Sequence, residues 1–277
     1  MLFKFVAGNS YHHAINYGNT LLKSGTIPII NYISENVKND FKNVLNEYTN
    51  LLKNINESYM LALKLSSLDF NKQAAYNIAD ICKNKNIKLI IDAEEDKNIE
   101  KYRNIVNTMI RKYNNNYFDN FTIIKTYQMY RRDSLLELYD DIKYFNNSNC
   151  SFSSKLVRGA YYNNEYKDGH LFNNKEDTDN NYNLGIIKCD KNKTMHNIVA
   201  SHNIKSITLV KDLINNNNNN NNNKFIIANL MGMNQNYMNN INFKKATYIP
   251  YGPYKEMIPY LTRRLYENID QIKYMYK

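Results

Sequence analysis

Apolar residues gather into eight short runs along the chain: TIPIINYI (Thr26–Ile33), YMLALKLSS (Tyr59–Ser67), IKLIIDAE (Ile87–Glu94) and FTIIKTYQ (Phe121–Gln128) come first. KLVRGAYY (Lys155–Tyr162), NIVASHN (Asn197–Asn203), KFIIANLMG (Lys224–Gly232) and ATYIPYG (Ala246–Gly252) follow. Each has the length and the β-favouring side chains of a strand. Most are separated by stretches such as NKQAAYNIADICKNKN and DSLLELYDDIKYF, whose apolar residues recur at helical spacing. Strand followed by helix, eight times over, predicts an α/β fold of the (β/α)8 TIM-barrel type. A doubly wound open sheet is the competitor. It usually opens with a glycine-rich phosphate turn, and the chain has neither G-x-G-x-x-G nor a Walker loop.

Polar residues collect at the C-terminal ends of these runs: Glu35, Lys64, Asp92, Gln128, Arg158, His202 and Tyr248. In a barrel those ends form one rim, where active sites sit. Near the C-terminus, YIPYGPYKEMIPYLTRRLYEN predicts a helix with Tyr260, Arg263, Arg264 and Glu267 on one face, since they fall at i, i+3, i+4 and i+7. The nine asparagines Asn215–Asn223 cannot bury apolar surface and are expected to form a disordered, inert insert on the opposite barrel face.

At 277 residues the chain suits one barrel domain, 1–277. The net charge of +10 comes from lysines scattered among asparagines rather than from a basic block, which argues against nucleic-acid binding. Cys82, Cys150 and Cys189 lie far apart, so no metal site or disulfide framework is expected. No run approaches the roughly 18 apolar residues of a membrane span. The first residues, MLFKFVAGNS, lack a signal-peptide core and an Arg/Ser-rich presequence.

Six stretches in series, KLSSL, IDAEE, TYQMY, KLVRGAYY, ASHN and the final-helix motif, resemble the proline dehydrogenase family, and its eukaryotic mitochondrial branch in particular. The resemblance covers nearly the whole chain. It implies a (β/α)8 barrel that holds FAD and oxidises L-proline to Δ1-pyrroline-5-carboxylate, by hydride transfer from proline C5 to flavin N5. It further implies a quinone electron acceptor, a mitochondrial location and peripheral association with the mitochondrial inner membrane.

The same resemblance assigns residues. Arg263 and Arg264 match the pair on the substrate carboxylate, where guanidinium geometry suits bidentate bonding, and Lys64 matches the lysine completing that pocket. Tyr161, Tyr248 and Tyr260 match the aromatic wall around the proline ring, and Leu230 an apolar residue of the pocket floor. Lys64, Asp92 and Tyr248 are the expected catalytic set, with Asp92 beside Lys64 and orienting it. Arg158, Gly159 and Ala160 match the flavin neighbourhood, and Ala93, Lys155, Ser201 and His202 further flavin contacts. From the fourth strand either Lys125 or Gln128 is expected to contribute. Glu35 matches a carboxylate that gates the pocket against Arg263 or Arg264, whereas Glu267 could equally pair with Arg263 within its helix.

The chain departs from the family pattern at Asn31 and Ser34, where aspartate and glycine are typical, and it ends soon after the eighth helix. The stretch NNYNLGIIKCDKNKTMHN leaves room for about two turns where the family has a full fifth helix, so a truncated fifth helix is expected. The rival readings are a hydroxyproline dehydrogenase, against which Tyr248 argues by filling the space of a 4-hydroxyl, and a catalytically degenerate FAD-binding barrel.

Overall fold

In the computed structural model, residues 2–34, 41–115, 121–192, 194–216, 224–233, 238 and 240–267 are described, with side chains described only within 4–262 of that set. Eight parallel strands close into a barrel in chain order, β1 Thr26–Tyr32, β2 Met60–Leu63, β3 Lys88–Ile91, β4 Ile123–Gln128, β5 Ser154–Val157, β6 Asn197–Ala200, β7 Phe225–Leu230 and β8 Lys245–Tyr251. Closure runs through β1 and β8, with Ile29 opposite Tyr248. Around them lie α1 Tyr11–Lys23, α2 Phe41–Lys53, α3 Lys72–Asn84, α4 Ile99–Tyr113, α5 Ser134–Asn147, the single turn α6 Tyr162–Glu165, α7 Lys175–Lys191, α8 Ile204–Asn216 and α9 Tyr254–Glu267. The expected (β/α)8 architecture is therefore present.

Pleat alternation sorts each strand into an inner and an outer row. Ile29, Ala62, Ile90, Ile124, Ile198, Ile226 and Ala246 form the barrel's interior cluster. Their strand neighbours Ile30, Leu61, Leu63, Leu89, Ile91, Ile123, Val199 and Ile227 belong to the larger core under the helices. Stepping by two from the interior residues towards the C-terminal rim gives Lys64, Asp92, Thr126, Gln128, Leu230 and Tyr248. The alternation that fills the barrel thus also aims these side chains inward at its mouth.

The truncated fifth helix is corrected. Helix α7 runs 17 residues from Lys175, and the Asn174 side chain caps it by accepting the Asp177 N–H. Its buried stripe, Thr178, Asn181, Tyr182, Gly185, Ile186 and Cys189, has helical spacing but is half polar or small. Asn181 donates to the Met129 carbonyl and the Ser134 hydroxyl, and Tyr182 to the Leu156 carbonyl, so β5 is covered by polar pairing as well as by packing. Of the asparagine run, Asn215 and Asn216 end α8, and 217–223 lie outside the described residues.

Candidate active site

A cavity of about 1430 Å³, open to solvent, occupies the C-terminal mouth of the barrel. That exceeds the roughly 300–1,000 Å³ of an ordinary small-ligand pocket, leaving room for a large cofactor and a small substrate together.

Its deepest charged group is Asp92, one residue past β3. Lys155 Nζ on β5 lies 2.5 Å from Asp92 Oδ1, and Tyr248 Oη on β8 donates to Asp92 Oδ2 at 2.6 Å. Three strands converge on this one buried carboxylate. Burial first, then the Asp92 charge, pushes the Tyr248 phenol far above its usual range, so it stays a donor. This corrects the expected partner: the lysine on Asp92 is Lys155. Lys64 instead lines the cavity with its ammonium 5.7 Å from the centre of the Tyr161 ring, a distance at which the ring face attracts a cation.

A second polar group lies where β5 and β6 end. Arg158 donates to Asp179 Oδ1 (2.6 Å), Ser201 Oγ (2.7 Å) and Ser206 Oγ (3.1 Å), and it stands over the Tyr182 ring. Lys175, at the start of α7, holds the other oxygen of Asp179 at 2.6 Å. Burial raises the Asp179 carboxyl, but the hydrogen bonds from Lys175 and Arg158 outweigh it and hold the group below its usual range. Lys175 and Asn203 line the cavity, as do His202 and Ser201. This end therefore presents two cations, a hydroxyl and an amide, a donor set suited to an anion.

Gln128 fastens the rim between these groups. Its Nε2 donates to the Glu94 carbonyl and its Oε1 accepts the Ala160 N–H. Gly159 has φ +145°, and a Cβ there would sit 2.5 Å from the Tyr130 ring, so only glycine lets the chain pass between Tyr130 and the cavity. Ala93, Tyr161 and Leu230 complete the wall.

Two further placements differ from expectation. Lys125 is an outer-row residue: its ammonium is buried against Glu137 (2.9 Å), Asp141 (2.5 Å) and Asn107 (3.0 Å), away from the cavity. The strand-four contributor is Gln128. Tyr260 is absent from the described cavity lining and packs with Val6, Ile33, Met257 and Leu261. Glu35 and the side chains of Arg263, Arg264 and Glu267 lie outside the described residues. Asn31 donates to the Ala62 carbonyl, a local role that needs no aspartate.

Sequence reasoning missed Thr126 and Lys175. Thr126 lines the cavity, is 3% exposed, and its Oγ1 has no hydrogen-bond partner. Alternation from Ile124 would have found it. Lys175 had no signal, because its position depends on where α7 begins.

A family model described as "Proline dehydrogenase" matches residues 15–276. The chain is 28% identical over 210 residues to "Proline dehydrogenase 1, mitochondrial" of Drosophila melanogaster, covering 68% of this chain and 30% of the relative. It is 25% identical over 208 residues to "Hydroxyproline dehydrogenase" of Mus musculus, covering 70% and 46%. The chain thus spans less than half the length of either relative. Among solved structures, proline utilization A (PutA) from Bdellovibrio bacteriovorus superposes with a TM-score of 0.86 at 18% identity, covering 96% of this chain and 32% of that one. At that identity the likeness concerns the fold.

Proposed function

This chain belongs to the proline dehydrogenase family, whose members are flavin-dependent, and from that premise we propose that it oxidises L-proline to Δ1-pyrroline-5-carboxylate with FAD held in the rim cavity. The observation that carries the reading is the Lys155–Asp92–Tyr248 arrangement, a buried, fully partnered carboxylate in the floor of a large polar-rimmed cavity.

The residues fit a flavin dinucleotide. Thr126 Oγ1 is a buried hydroxyl without a partner, as expected where a ligand's polar edge completes the bonding. Arg158, Lys175 and Ser201 offer donors for a pyrophosphate, and Gln128, Gly159 and Ala160 border the space for the ring system. When bound, the flavin supplies the hydride acceptor.

The chain's own part is orientation and charge. Loss of a hydride from C5 of the amine form leaves positive charge on the substrate C–N unit, and Asp92 places negative charge in the same enclosed space. Lys155 and Tyr248 fix both of its oxygens, so the carboxylate keeps one orientation. Lys64, with Arg263 and Arg264 from α9, is assigned to the substrate carboxylate; Tyr161, Tyr248 and Leu230 shape the space for the ring. Glu35 is assigned to closing the pocket over Arg263 or Arg264. The relatives' mitochondrial names support a mitochondrial location, with a quinone of the inner membrane as electron acceptor. Among the described residues no helix is long and apolar enough to cross a membrane, so contact with that membrane is taken to be peripheral.

Hydroxyproline is the competing substrate, favoured by the mouse relative. Tyr248 weighs against it. Its hydroxyl is bonded to Asp92, so the ring cannot swing aside for a 4-hydroxyl without breaking a charge-assisted bond. The test is anaerobic: the purified protein should show a flavin spectrum that L-proline bleaches and trans-4-hydroxy-L-proline does not. A flavin spectrum that proline leaves unchanged would refute the proposal.

A further inference from the structure

Glu94 has no part in the chemistry above, yet it is a carboxylate only 2% exposed beside the cavity wall. Its Oε1 accepts the backbone N–H of Ser66 at 2.8 Å. That N–H belongs to a tight turn closed by Ser67, whose N–H and Oγ both return to the Lys64 carbonyl at 3.2 and 2.6 Å. The Glu94 backbone carbonyl meanwhile accepts from Gln128, which in turn holds Ala160. One residue of the β3 end is thereby tied directly to the ends of β2 and β4, and through Gln128 to the end of β5.

The charges facing Glu94 are few. Lys64 from the β2 end favours its anion and Asp92 from its own strand opposes it, while Tyr102 of α4 feels its field as a neutral phenol. Burial pushes the carboxyl up to about 6, with the Ser66 hydrogen bond and Lys64 pulling the other way. At neutral pH the group is therefore largely ionised, and Lys64 is the cation that compensates it.

We propose that Glu94 is the positioning residue for Lys64: it clamps the turn that follows Lys64 and supplies the negative charge that keeps this ammonium protonated at the cavity wall. The link to proline rests on the functional reading above, because only that reading makes the substrate carboxylate the anion Lys64 awaits. The geometry around Glu94 does not depend on it.

The deciding measurement needs no turnover. Purified full-length protein is treated with acetic anhydride across a pH series, and acylation of Lys64 is followed by peptide mass spectrometry, with exposed Lys23 and Lys53 as internal references. In Glu94→Gln, which keeps an oxygen for the Ser66 N–H but removes the charge, Lys64 should react roughly threefold to tenfold faster at pH 8 than in the wild type, as expected when an opposite charge is lost nearby. The reference lysines should not change. Glu94→Asp, which retains the charge, should stay near the wild type and provides a second folded comparison. Equal Lys64 reactivity in wild type and Glu94→Gln would overturn the proposal, and so would equal acceleration of all three lysines. With proline as substrate, Glu94→Gln should raise KM about tenfold while kcat stays within about twofold. A wild type that never oxidises proline removes the functional reading, while the labelling result still decides the role of Glu94.

Discussion

Tyr248 Oη and Asp92 Oδ2 are 2.6 Å apart, although 156 residues separate them in the chain. Ring closure makes this contact: Tyr248 is an inner residue of the last strand, and Asp92 follows the inner row of the third. Tyr248→Phe keeps the ring and deletes only the bond. A hydrogen bond to a charged group contributes about 1.5–3 kcal/mol, so if Asp92 is held for the reaction, kcat/KM for proline should fall roughly 10- to 100-fold. Steady-state kinetics under saturating electron acceptor measures this. A variant within twofold of the wild type would mean that Lys155 alone suffices to hold the carboxylate.

Lys125 separates flavin binding from fold stability. Its ammonium neutralises Glu137 and Asp141 between β4 and α5. Lys125→Met would strand those two carboxylates, and breaking a buried pair typically costs about 3–5 kcal/mol. Denaturant melts of the apoprotein should register a loss of that order. The flavin dissociation constant should stay within about twofold. A variant that melts like the wild type but loses flavin would return Lys125 to the cofactor site.

The strands were legible because each buries an inner and an outer row, which leaves continuous apolar runs in the sequence. Helix α7 was not, because its buried stripe includes Thr178, Asn181 and Gly185, which satisfy hydrogen bonds or allow close approach without adding to apolar periodicity. In the site, alternation alone decides between Lys125 and Gln128 once Ile124 is known to face inward. It cannot decide between Lys64 and Lys155 as the partner of Asp92, since both face inward. That choice depends on how far a β5 side chain reaches across the barrel interior, a distance that no spacing in the chain encodes.

Thr126 should show opposite signs in the two forms of the protein. Without a ligand its buried Oγ1 is an unmet polar group, which costs on the order of 1–3 kcal/mol. Thr126→Val keeps the shape and removes that cost, so the apoprotein should melt higher. If the hydroxyl bonds the flavin, the same change should weaken flavin binding by about fivefold, corresponding to about 1 kcal/mol. Thermal melts of the apoprotein and a fluorescence titration with FAD give the two numbers. Tighter flavin binding by the valine variant would place the cofactor's polar edge elsewhere.

Glu94 gives a pH signature of known sign. Its carboxyl is raised from 4.5 to about 6 in the fold, chiefly by burial. The native state therefore binds a proton more tightly than the unfolded chain, and the resulting stabilisation is fully present below the unfolded value. It is lost as pH rises through about 6, so over that window stability falls with increasing pH. The shift corresponds to about 2 kcal/mol. Asp133 and Glu137 run the other way: burial raises both carboxyls, but Arg131 and Arg103 on the first and Lys125 and Arg103 on the second pull them below their usual range. Their contribution is lost as pH falls, so the total curve mixes both trends. The difference between wild type and Glu94→Gln isolates one group. Urea melts at pH 4.5, 5.5 and 6.5 should show the variant gaining on the wild type as pH rises, by about 2 kcal/mol across the series. A constant difference at all three values would mean that Glu94 titrates at its ordinary value in the folded protein, and that the protein interior leaves its charge as well solvated as water does.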